Sequence, residues 1–402
     1  MASALEGLTI LELGGGISAA YCTKLLADLG AEVVKVEPPG GDPARRHGPF
    51  PGDRPDPEAS GLFTYLNTNK RGIALDLASE DGRDLLERLV ERVDLVVENL
   101  DPAELDACAS WPEEFRARHP GVLLTSISPY GRSGPRARWA GFGIQASAGS
   151  SVAFRTGDPK RSPLAKPLNE PDFLGGVHGA AASLVALRVY EGSGAAQHAD
   201  ISLQDILASV TSGPSVGAAV YGQRRPMTRT GHRVEAFQPW TVLPVADGHM
   251  EFITMQERHW RSFVDYLGSP EWADDPRFGD MLLRAQNVDA LEPHLRAAVR
   301  ERTRAELWEA CRERGISFQP VQRVDELVHS DHLRERGYFQ DVRSGSGAAM
   351  RVPGAPYKLS ATPWALRRPA PRFGEHTSEV LDEFLGLSPA KMTELSRAGA
   401  LA

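Results

Sequence analysis

The 402-residue sequence has little cysteine and no long apolar run. Its three cysteines are odd in number, far apart, and form no C-x-x-C pair, which disfavours a disulfide framework or a zinc ribbon and fits a reducing compartment. No stretch of about 18 apolar residues occurs, as a membrane span would require. Residues 1–13 contain two glutamates and no basic segment, unlike a signal peptide. We therefore predict a cytoplasmic protein that does not enter a membrane.

The sequence also lacks an excess of positive charge. It has 45 Lys and Arg against 53 Asp and Glu, a formal net charge of -8, so no nucleic-acid partner is expected. The short clusters Arg45–Arg46 and Arg224–Arg225 are interpreted as solvated surface. A P-loop and a G-x-S-x-G elbow are absent, which disfavours P-loop enzymes and α/β-hydrolases. His329 and His332 have no evident third ligand nearby, so no metal site is predicted.

Strand-like and helix-like segments alternate through the first 210 residues. This alternation predicts an α/β fold with a Rossmann-like, mostly parallel sheet, whose ligands bind at the carboxyl ends of the strands. The predicted strands are 8–13, 32–37, 73–77, 94–98, 122–127 and 198–203, and the principal predicted helices are 18–29, one capped by Ser79, and 172–190.

The remainder of the chain indicates a second, smaller domain, as its length also favours. We predict a large domain over 1–210, a linker over 211–236 and a small α+β domain over 237–335. The small domain has strand-like segments at 240–243 and 250–254 and helices around 257–267 and 302–314, and a final helix is predicted at 376–386.

A glycine-rich turn follows the first strand. Residues 14–19 fit G-x-G-x-x-A, and Glu37 ends the next strand, as in a dinucleotide fingerprint. Two interpretations stay open. The turn is either a tight strand-to-helix connection or a site where backbone N–H groups hold a nucleotide or CoA phosphate. An NAD-linked oxidoreductase is the corresponding rival function, although Pro38–Pro39 directly after Glu37 is unusual for a ribose-binding acid.

Other candidate residues are equally ambiguous from sequence alone. Lys70 and Arg71 precede the predicted strand 73–77 and could meet phosphates or solvent. Arg138 has the same ambiguity, whereas Asn99 follows a strand and is expected to face the ligand crevice. Asp172 begins a helix, as either an N-cap or a carboxylate nucleophile that the helix N-terminus keeps ionised.

Several segments together resemble the class III CoA-transferases, the carnitine/bile-acid CoA-transferase family, which includes formyl-CoA transferases and 2-methylacyl-CoA racemases. The resemblance extends in order over nearly the whole chain. The segments that carry it are Cys22–Glu37 with Gly41–Pro43, Asn67–Arg71 with Ala74–Leu77, Val96–Asn99, Gly131–Pro135, Gln197–Leu203, Ala273–Phe278, Pro353–Pro356, Leu359–Pro363 and Gly374–Leu381.

The resemblance implies an architecture beyond what the residues show by themselves. Residues 336–402 would contain a linker and the C-terminal part of the large domain. Two chains would form an interlocked homodimer. The substrates would be an acyl-CoA and a small carboxylic acid, with CoA as a substrate and without any separate cofactor.

The resemblance also implies roles for particular residues. Asp172, followed by Gly176 and His178, matches the family's nucleophile pattern, although His178 by itself is interpreted as a packed core histidine. Asp172 would carry CoA through mixed-anhydride and aspartyl-CoA thioester intermediates. The residues implied in CoA binding are Gly16, Ile17, Ser18, Asn69, Lys70, Arg71, Asn99, Leu100 and Arg138.

Three departures from relatives narrow the function. Gly141–Gly143 replaces the Gly-His-Asp stretch of the racemases, which opposes a methylacyl-CoA racemase or epimerase. Thr254–Glu257 replaces the glycine-rich loop of formyl-CoA transferases, which makes formate and oxalate doubtful substrates. Pro38 replaces an arginine of some relatives. A CoA-binding but inactive partner subunit remains a further alternative.

Overall fold

The computed structural model describes residues 3–108, 110–166, 169–209, 228–234 and 237–402, which form two compact units. The first unit comprises Met1–Val152, Ala165–Tyr221 and His332–Ala402, and the second comprises Ala153–Leu164 and Gly222–Asp331. Residues 153–164 thus belong to the second unit, although the sequence analysis placed them in the large domain. The predicted linker 211–236 lies mostly outside the described residues.

A six-stranded parallel sheet forms the centre of the first unit. The strand order is β3-β2-β1-β4-β5-β6, and every neighbouring pair is parallel. This order reverses direction between β1 and β4, the doubly wound arrangement that creates a crevice at the strand ends. The prediction of a Rossmann-like parallel sheet is confirmed. The strands are β1 (Thr9–Leu13), β2 (Glu32–Glu37), β3 (Lys70–Ala74), β4 (Leu95–Glu98), β5 (Leu123–Ser128) and β6 (His198–Ser202).

Helices cover both faces of this sheet and enclose two apolar cores. One core lies between the sheet and a set of helices that includes α3, α5 and α16, and the other lies beneath α1 and α8. Ser79 caps α3 by accepting a hydrogen bond from the Gly82 amide at 3.0 Å, as predicted. The helices before β6 are α1 (Ser18–Asp28), α2 (Gly61–Leu66), α3 (Glu80–Val90), α4 (Pro102–Ala107), α5 (Pro112–Arg118), α6 (Gly143–Gly149), α7 (Val152–Arg155) and α8 (Glu170–Ser193); residues 203–209 form α9.

The C-terminal residues His332–Ala402 belong to the first unit. The Ala74 amide at the end of β3 donates to Thr377 Oγ1 at 3.1 Å, and Leu75 forms a β-bridge with Leu401. The elements of this part are α15 (Asp331–Glu335), the antiparallel pair β10 (Phe339–Arg343) and β11 (Ala349–Pro353), α16 (Thr377–Leu385) and α17 (Pro389–Arg397).

The second unit is a small α+β domain with its own core. Its three-stranded antiparallel sheet has the order β7-β8-β9, and a cluster of buried phenylalanines fills the space between sheet and helices. Its elements are β7 (Trp240–Val245), β8 (Gly248–Ile253), α10 (Glu257–Tyr266), α11 (Met281–Gln286), α12 (Val288–Val299), α13 (Arg304–Arg314), β9 (Gln319–Pro320) and α14 (Val324–Leu327).

The third strand is the clearest correction to the predicted elements. The strand predicted at 73–77, with Lys70 and Arg71 before it, is wrong in its bounds, because the observed strand is Lys70–Ala74. Both residues lie inside β3 and are buried, because carboxylates on neighbouring elements pair with them. Sequence alone does not show that a charged residue belongs to a buried strand when the residue that neutralises it lies far away along the chain.

Helix α8 is the one helix in the described part of the chain with the length and hydropathy to cross a membrane. A helix in the core of a soluble protein meets the same criteria. One side of α8 packs closely against α1. Gly176 allows this contact because it has no side chain; a Cβ at this position would lie only 2.9 Å from the Ser18 carbonyl oxygen. The opposite side carries Val177, Val185 and Val189, which are all exposed.

Candidate active site

A cavity of about 1860 Å³ opens at the carboxyl ends of the parallel strands, where the sheet order reverses. Its lining comes from the turn after β1, from Asn99 to Asp101 after β4, and from the start of α8, all within the first unit. The sequence-predicted residues that line it are Gly16, Ile17, Ser18, Asn99, Leu100 and Asp172.

Asp172 stands in the first turn of α8 and faces this cavity. The helix N-cap is Asn169, in the left-handed conformation with φ 54°, so the alternative interpretation of Asp172 as the N-cap is wrong. Asp172 occupies the third helical position, and its amide donates to the Asn169 carbonyl oxygen at 3.0 Å. Its carboxylate is therefore left to meet a ligand while the helix start remains intact.

The environment of the Asp172 carboxyl group favours its neutral form more than water does for an exposed aspartate. Burial raises its pKa from 3.8 to about 6, because the charged form loses hydration, while a backbone hydrogen bond lowers it by less. Burial therefore opposes the ionised form, which the helix N-terminus was expected to favour. The group remains mostly ionised at neutral pH, and a poorly hydrated carboxylate is more reactive towards an acyl carbon.

Gly143 lies directly against this carboxylate. A Cβ at position 143 would come within 2.7 Å of Asp172 Oδ2, closer than real Cβ contacts occur. The neighbouring Phe142 is 76% exposed and lines the same cavity. The stretch that the sequence analysis compared with the racemase motif therefore leaves room for the nucleophile and supplies no proton-transfer group of its own.

The turn after β1 has no free amides at its two central glycines. Gly15 N–H donates to Asn99 Oδ1 at 3.1 Å, and Gly16 N–H donates to Asp42 Oδ1 at 3.0 Å. Asn99 returns its own amide protons to the Gly15 carbonyl oxygen and Ser18 Oγ. These two donors are therefore engaged within the protein, and the turn forms part of the cavity wall; the contact of Gly16, Ile17 and Ser18 with CoA stays a prediction.

Comparison with known proteins identifies the family. The model of CoA-transferase family III matches residues 5–377. The chain belongs to this family. It is an enzyme of the CoA-transferase class, and its membership confirms the resemblance found in the sequence.

Similar transferases cover nearly the whole chain. The succinyl-CoA:(R)-benzylsuccinate CoA-transferase subunit BbsE of Thauera aromatica is 32% identical over 95% of this chain and 94% of its own. The succinate–glutarate CoA-transferase of Agrobacterium fabrum is 29% identical over 94% and 95%. A crystal structure of a CAIB/BAIF family protein from Brucella suis superposes with a TM-score of 0.84 at 26% identity, covering 96% of this chain and 100% of that one.

The acid at the end of β2 cannot serve this transferase as a ribose ligand. Glu37 is fully buried, and both its oxygens accept hydrogen bonds from the Arg45 guanidinium at 2.7 Å. Arg45 also stacks over the Phe63 ring, 3.6 Å from its centroid. The dinucleotide fingerprint of residues 14–19 therefore indicates only a strand-turn-helix connection. The engagement of Glu37 by Arg45 opposes the alternative of an NAD-linked oxidoreductase.

Lys70 lies in a buried charge network behind the cavity wall instead of in the wall. Its ammonium group donates to Glu12 Oε2, the Ala20 carbonyl oxygen and Asn67 Oδ1, so all three protons have acceptors. Glu12 also pairs with Lys35, whose ammonium group lies 2.6 Å from Asp42 Oδ2. The two lysines lower the pKa of Glu12 to about 2 despite its burial. The network links β3 to Asp42, which holds the turn.

The other predicted CoA-binding residues outside the cavity lining also have protein partners. Asn69 binds Asp28 and the main chain of residues 365–368. Arg71 pairs with three glutamates, two of them on α16. Arg138 is exposed, pairs with Asp106 at 3.0 Å and stacks on Trp111. Their contact with CoA stays a prediction, and Arg138 is the one that remains accessible to a ligand.

The cationic side chains that do line the cavity were not identified from the sequence. Within the described residues they are Arg46 and Arg351, and the imidazole of His47 lines the cavity beside Arg46. The sequence analysis interpreted Arg45–Arg46 as solvated surface, which is wrong for the buried Arg45. The adjacent Gly41–Pro43 segment of the family resemblance was the available signal, because it follows directly after β2 at the ligand-binding edge.

Proposed function

We propose that the enzyme transfers CoA from an acyl-CoA to a carboxylic acid through a covalent intermediate on Asp172. The observation that carries this proposal is the position of the Asp172 carboxylate, half-buried at the wall of the large cavity with a pKa raised to about 6. The bound substrate would have to keep water from the reacting groups, because water hydrolyses an acyl anhydride. The proposed chemistry requires no metal or redox cofactor.

The reaction proceeds by four displacements. An Asp172 oxygen attacks the thioester carbonyl carbon, the C–S bond breaks, and a mixed anhydride and CoA thiolate result. The thiolate attacks the aspartyl carbonyl carbon and releases the donor acid as its carboxylate. The acceptor carboxylate then attacks the aspartyl-CoA thioester, forming a second anhydride and thiolate. Attack of that thiolate on the acceptor carbonyl carbon releases the new acyl-CoA and restores the Asp172 carboxylate.

Succinyl-CoA is the proposed donor to examine first. The relatives from Thauera aromatica and Chloroflexus aurantiacus bear names that specify succinyl-CoA as a substrate, with benzylsuccinate, citramalate or malate as the partner acid. A dicarboxylic acyl group is therefore the substrate class with most support. Formyl-CoA and oxalate, named for a relative from a Bradyrhizobium strain, are the corresponding controls.

Intact-protein mass spectrometry tests the covalent route. Wild type and Asp172→Asn are incubated with succinyl-CoA, with and without hydroxylamine, which cleaves thioesters. We expect a CoA adduct on wild type that hydroxylamine removes and that Asp172→Asn lacks. Glu170→Gln is the matched control, because Glu170 lies in the same helical turn but pairs with Lys166 and is not part of the cavity lining. An adduct that persists in Asp172→Asn would contradict the proposal.

Two other functions predict different outcomes for the same protein. A racemase would exchange the α-proton of a 2-methylacyl-CoA with deuterated water and form no aspartyl-CoA, but the lack of a histidine at Gly141–Gly143 opposes it. An inactive subunit would bind CoA and acquire activity when mixed with a paralogous chain. The relative from Thauera aromatica is itself named as a subunit, so turnover by the purified chain alone is the measurement that separates these cases.

A further inference from the structure

The cavity has an unequal distribution of charge. Asp76, Asp101, Glu104 and Asp172 all line it, and the substrate of the proposed reaction is itself a polyanion. Repulsion between like charges in a partly enclosed site is costly, so binding requires cations at the wall. Lys70 and Arg71 lie elsewhere and are neutralised by protein carboxylates.

Arg46 is the cavity-lining arginine that stays available. It ends a short 3-10 helix, Pro43–Arg46, is exposed, and forms no ion pair or side-chain hydrogen bond within the described residues. The other lining arginine, Arg351, already pairs with Asp341 through two contacts of 2.9 and 3.3 Å. The imidazole of His47, the next residue, is also exposed and likewise has no partner in the described part of the chain.

The two adjacent arginines Arg45 and Arg46 have opposite environments, because the local backbone directs one side chain into the protein and the other out of it. Arg45 points inward, 3% exposed, and is fixed by Glu37 and Phe63. Arg46 consequently points away from this anchor, from a segment whose start is held by Asp42 accepting the Ala44 amide. A guanidinium on such a supported segment is positioned to meet a planar or tetrahedral anion through two parallel hydrogen bonds.

We propose that Arg46, with His47 beside it, binds an anionic oxygen group of the acyl-CoA. That group is either a phosphate of the nucleotide part or the free carboxylate of a dicarboxylic acyl group. The inference rests on the proposed CoA-transferase function and adds to it the cationic contact of the substrate. Arg46 is a binding residue in this assignment and takes no part in the displacements at Asp172.

The test compares Arg46→Gln, Arg46→Lys and Arg54→Gln in the full chain. Arg54 is the matched control, since it is exposed and without an ion pair in the described structure but does not line the cavity. Calorimetry measures the Kd of CoA and of 3′-dephospho-CoA, and initial rates give kcat and KM for succinyl-CoA and butyryl-CoA. We expect Arg46→Gln to weaken binding by about ten- to a hundredfold with little change in kcat, as for a lost charge-assisted hydrogen bond. Arg46→Lys should recover part of this loss.

The substrate panel distinguishes the two sources of the anion. A loss confined to succinyl-CoA would identify the distal carboxylate. An equal loss of affinity for both thioesters would identify a phosphate of CoA. If wild type and Arg46→Gln then bind 3′-dephospho-CoA with the same Kd, that phosphate is the 3′-phosphate. Equal binding and KM for Arg46→Gln and Arg54→Gln would overturn the proposal. Wild type that neither binds CoA nor forms an adduct would instead overturn the proposed function.

Discussion

At the scale of single residues, the position of Asp172 couples reactivity to a cost in stability. Its folded pKa of about 6 lies above the unfolded value near 3.8, so the native state binds more protons between these values and loses stability as pH rises through this window. In the proposed mechanism the carboxylate form is the nucleophile, and its fraction increases over the same window. Activity and stability are thus expected to change in opposite directions with pH.

The activity side of this coupling is measurable as a pH profile. We expect kcat/KM for the acyl-CoA to fall about tenfold per pH unit below about 6 and to level off above it, because only ionised Asp172 attacks. Initial rates from pH 4.5 to 8 check this, with circular dichroism at each pH as the control for unfolding. A rate independent of pH between 5 and 7 would show that another group or step is limiting.

The stability side is measurable with Asp172→Asn. Removing the buried charge should raise the free energy of unfolding above pH 7 by up to about 3 kcal/mol, and the gain should vanish below about pH 4, where aspartate is neutral in both states. Thermal melting at pH 4 and pH 8 gives the comparison. An Asp172→Asn variant less stable than wild type at pH 8 would contradict the desolvation argument.

Gly143 is expected to be needed for the position of the Asp172 carboxylate, although it takes no part in the proposed chemistry. Gly143→Ala places a Cβ at 2.7 Å from Asp172 Oδ2, so the carboxylate has to move and kcat should fall by about ten- to a hundredfold. CoA binding, measured by calorimetry, should change little. Gly121→Ala is the control, since nothing lies within 4 Å of a Cβ there. Equal kcat for both variants would rule out this role.

At the scale of secondary-structure elements, the close contact of α8 with α1 depends on Gly176. Gly176→Ala would press a methyl group against backbone atoms, 2.9 Å from the Ser18 carbonyl oxygen and 3.0 Å from the Cys22 amide nitrogen. We expect a loss of about 1–3 kcal/mol. Gly192→Ala in the same helix meets no atom within 4 Å and should be neutral or slightly stabilising. Melting temperatures of the two variants provide the test, and equal values would refute the packing argument.

Elements with a regular apolar pattern were predictable, and those fixed by distant partners were not. The strand Glu32–Glu37 matches its prediction, because its valines lie between Gly30 and the Pro- and Gly-rich residues 38–41, which define it locally. The strand that contains Lys70 was misplaced, since Glu12 lies 58 residues earlier. The cavity lining followed the same rule: Asp172 and the turn after β1 were singled out from the sequence and line the cavity, whereas Arg46 was missed because the sequence does not show which arginine Glu37 binds.

At the scale of the whole molecule, the assembly and the location of the enzyme remain predictions. The exposed valines of α8, Val177, Val185 and Val189, form an apolar strip that a second copy of the chain could cover. We expect a dimer of twice the chain mass of 43.6 kDa, interlocked as the resemblance implies, in a cytoplasmic protein. Size-exclusion chromatography with light scattering measures the mass, and a monomer at micromolar concentration would refute the dimer.

The satisfied amides of Gly15 and Gly16 have a consequence for inhibitor design and for genome searches alike. A phosphate mimic aimed at the amides of Gly15 and Gly16 would have to displace Asn99 or Asp42 to reach these two donors. The same G-x-G-x-x-A motif in another genome therefore identifies a backbone conformation. A sequence search that takes the motif as evidence of nucleotide dependence would misassign transferases of this kind as dehydrogenases.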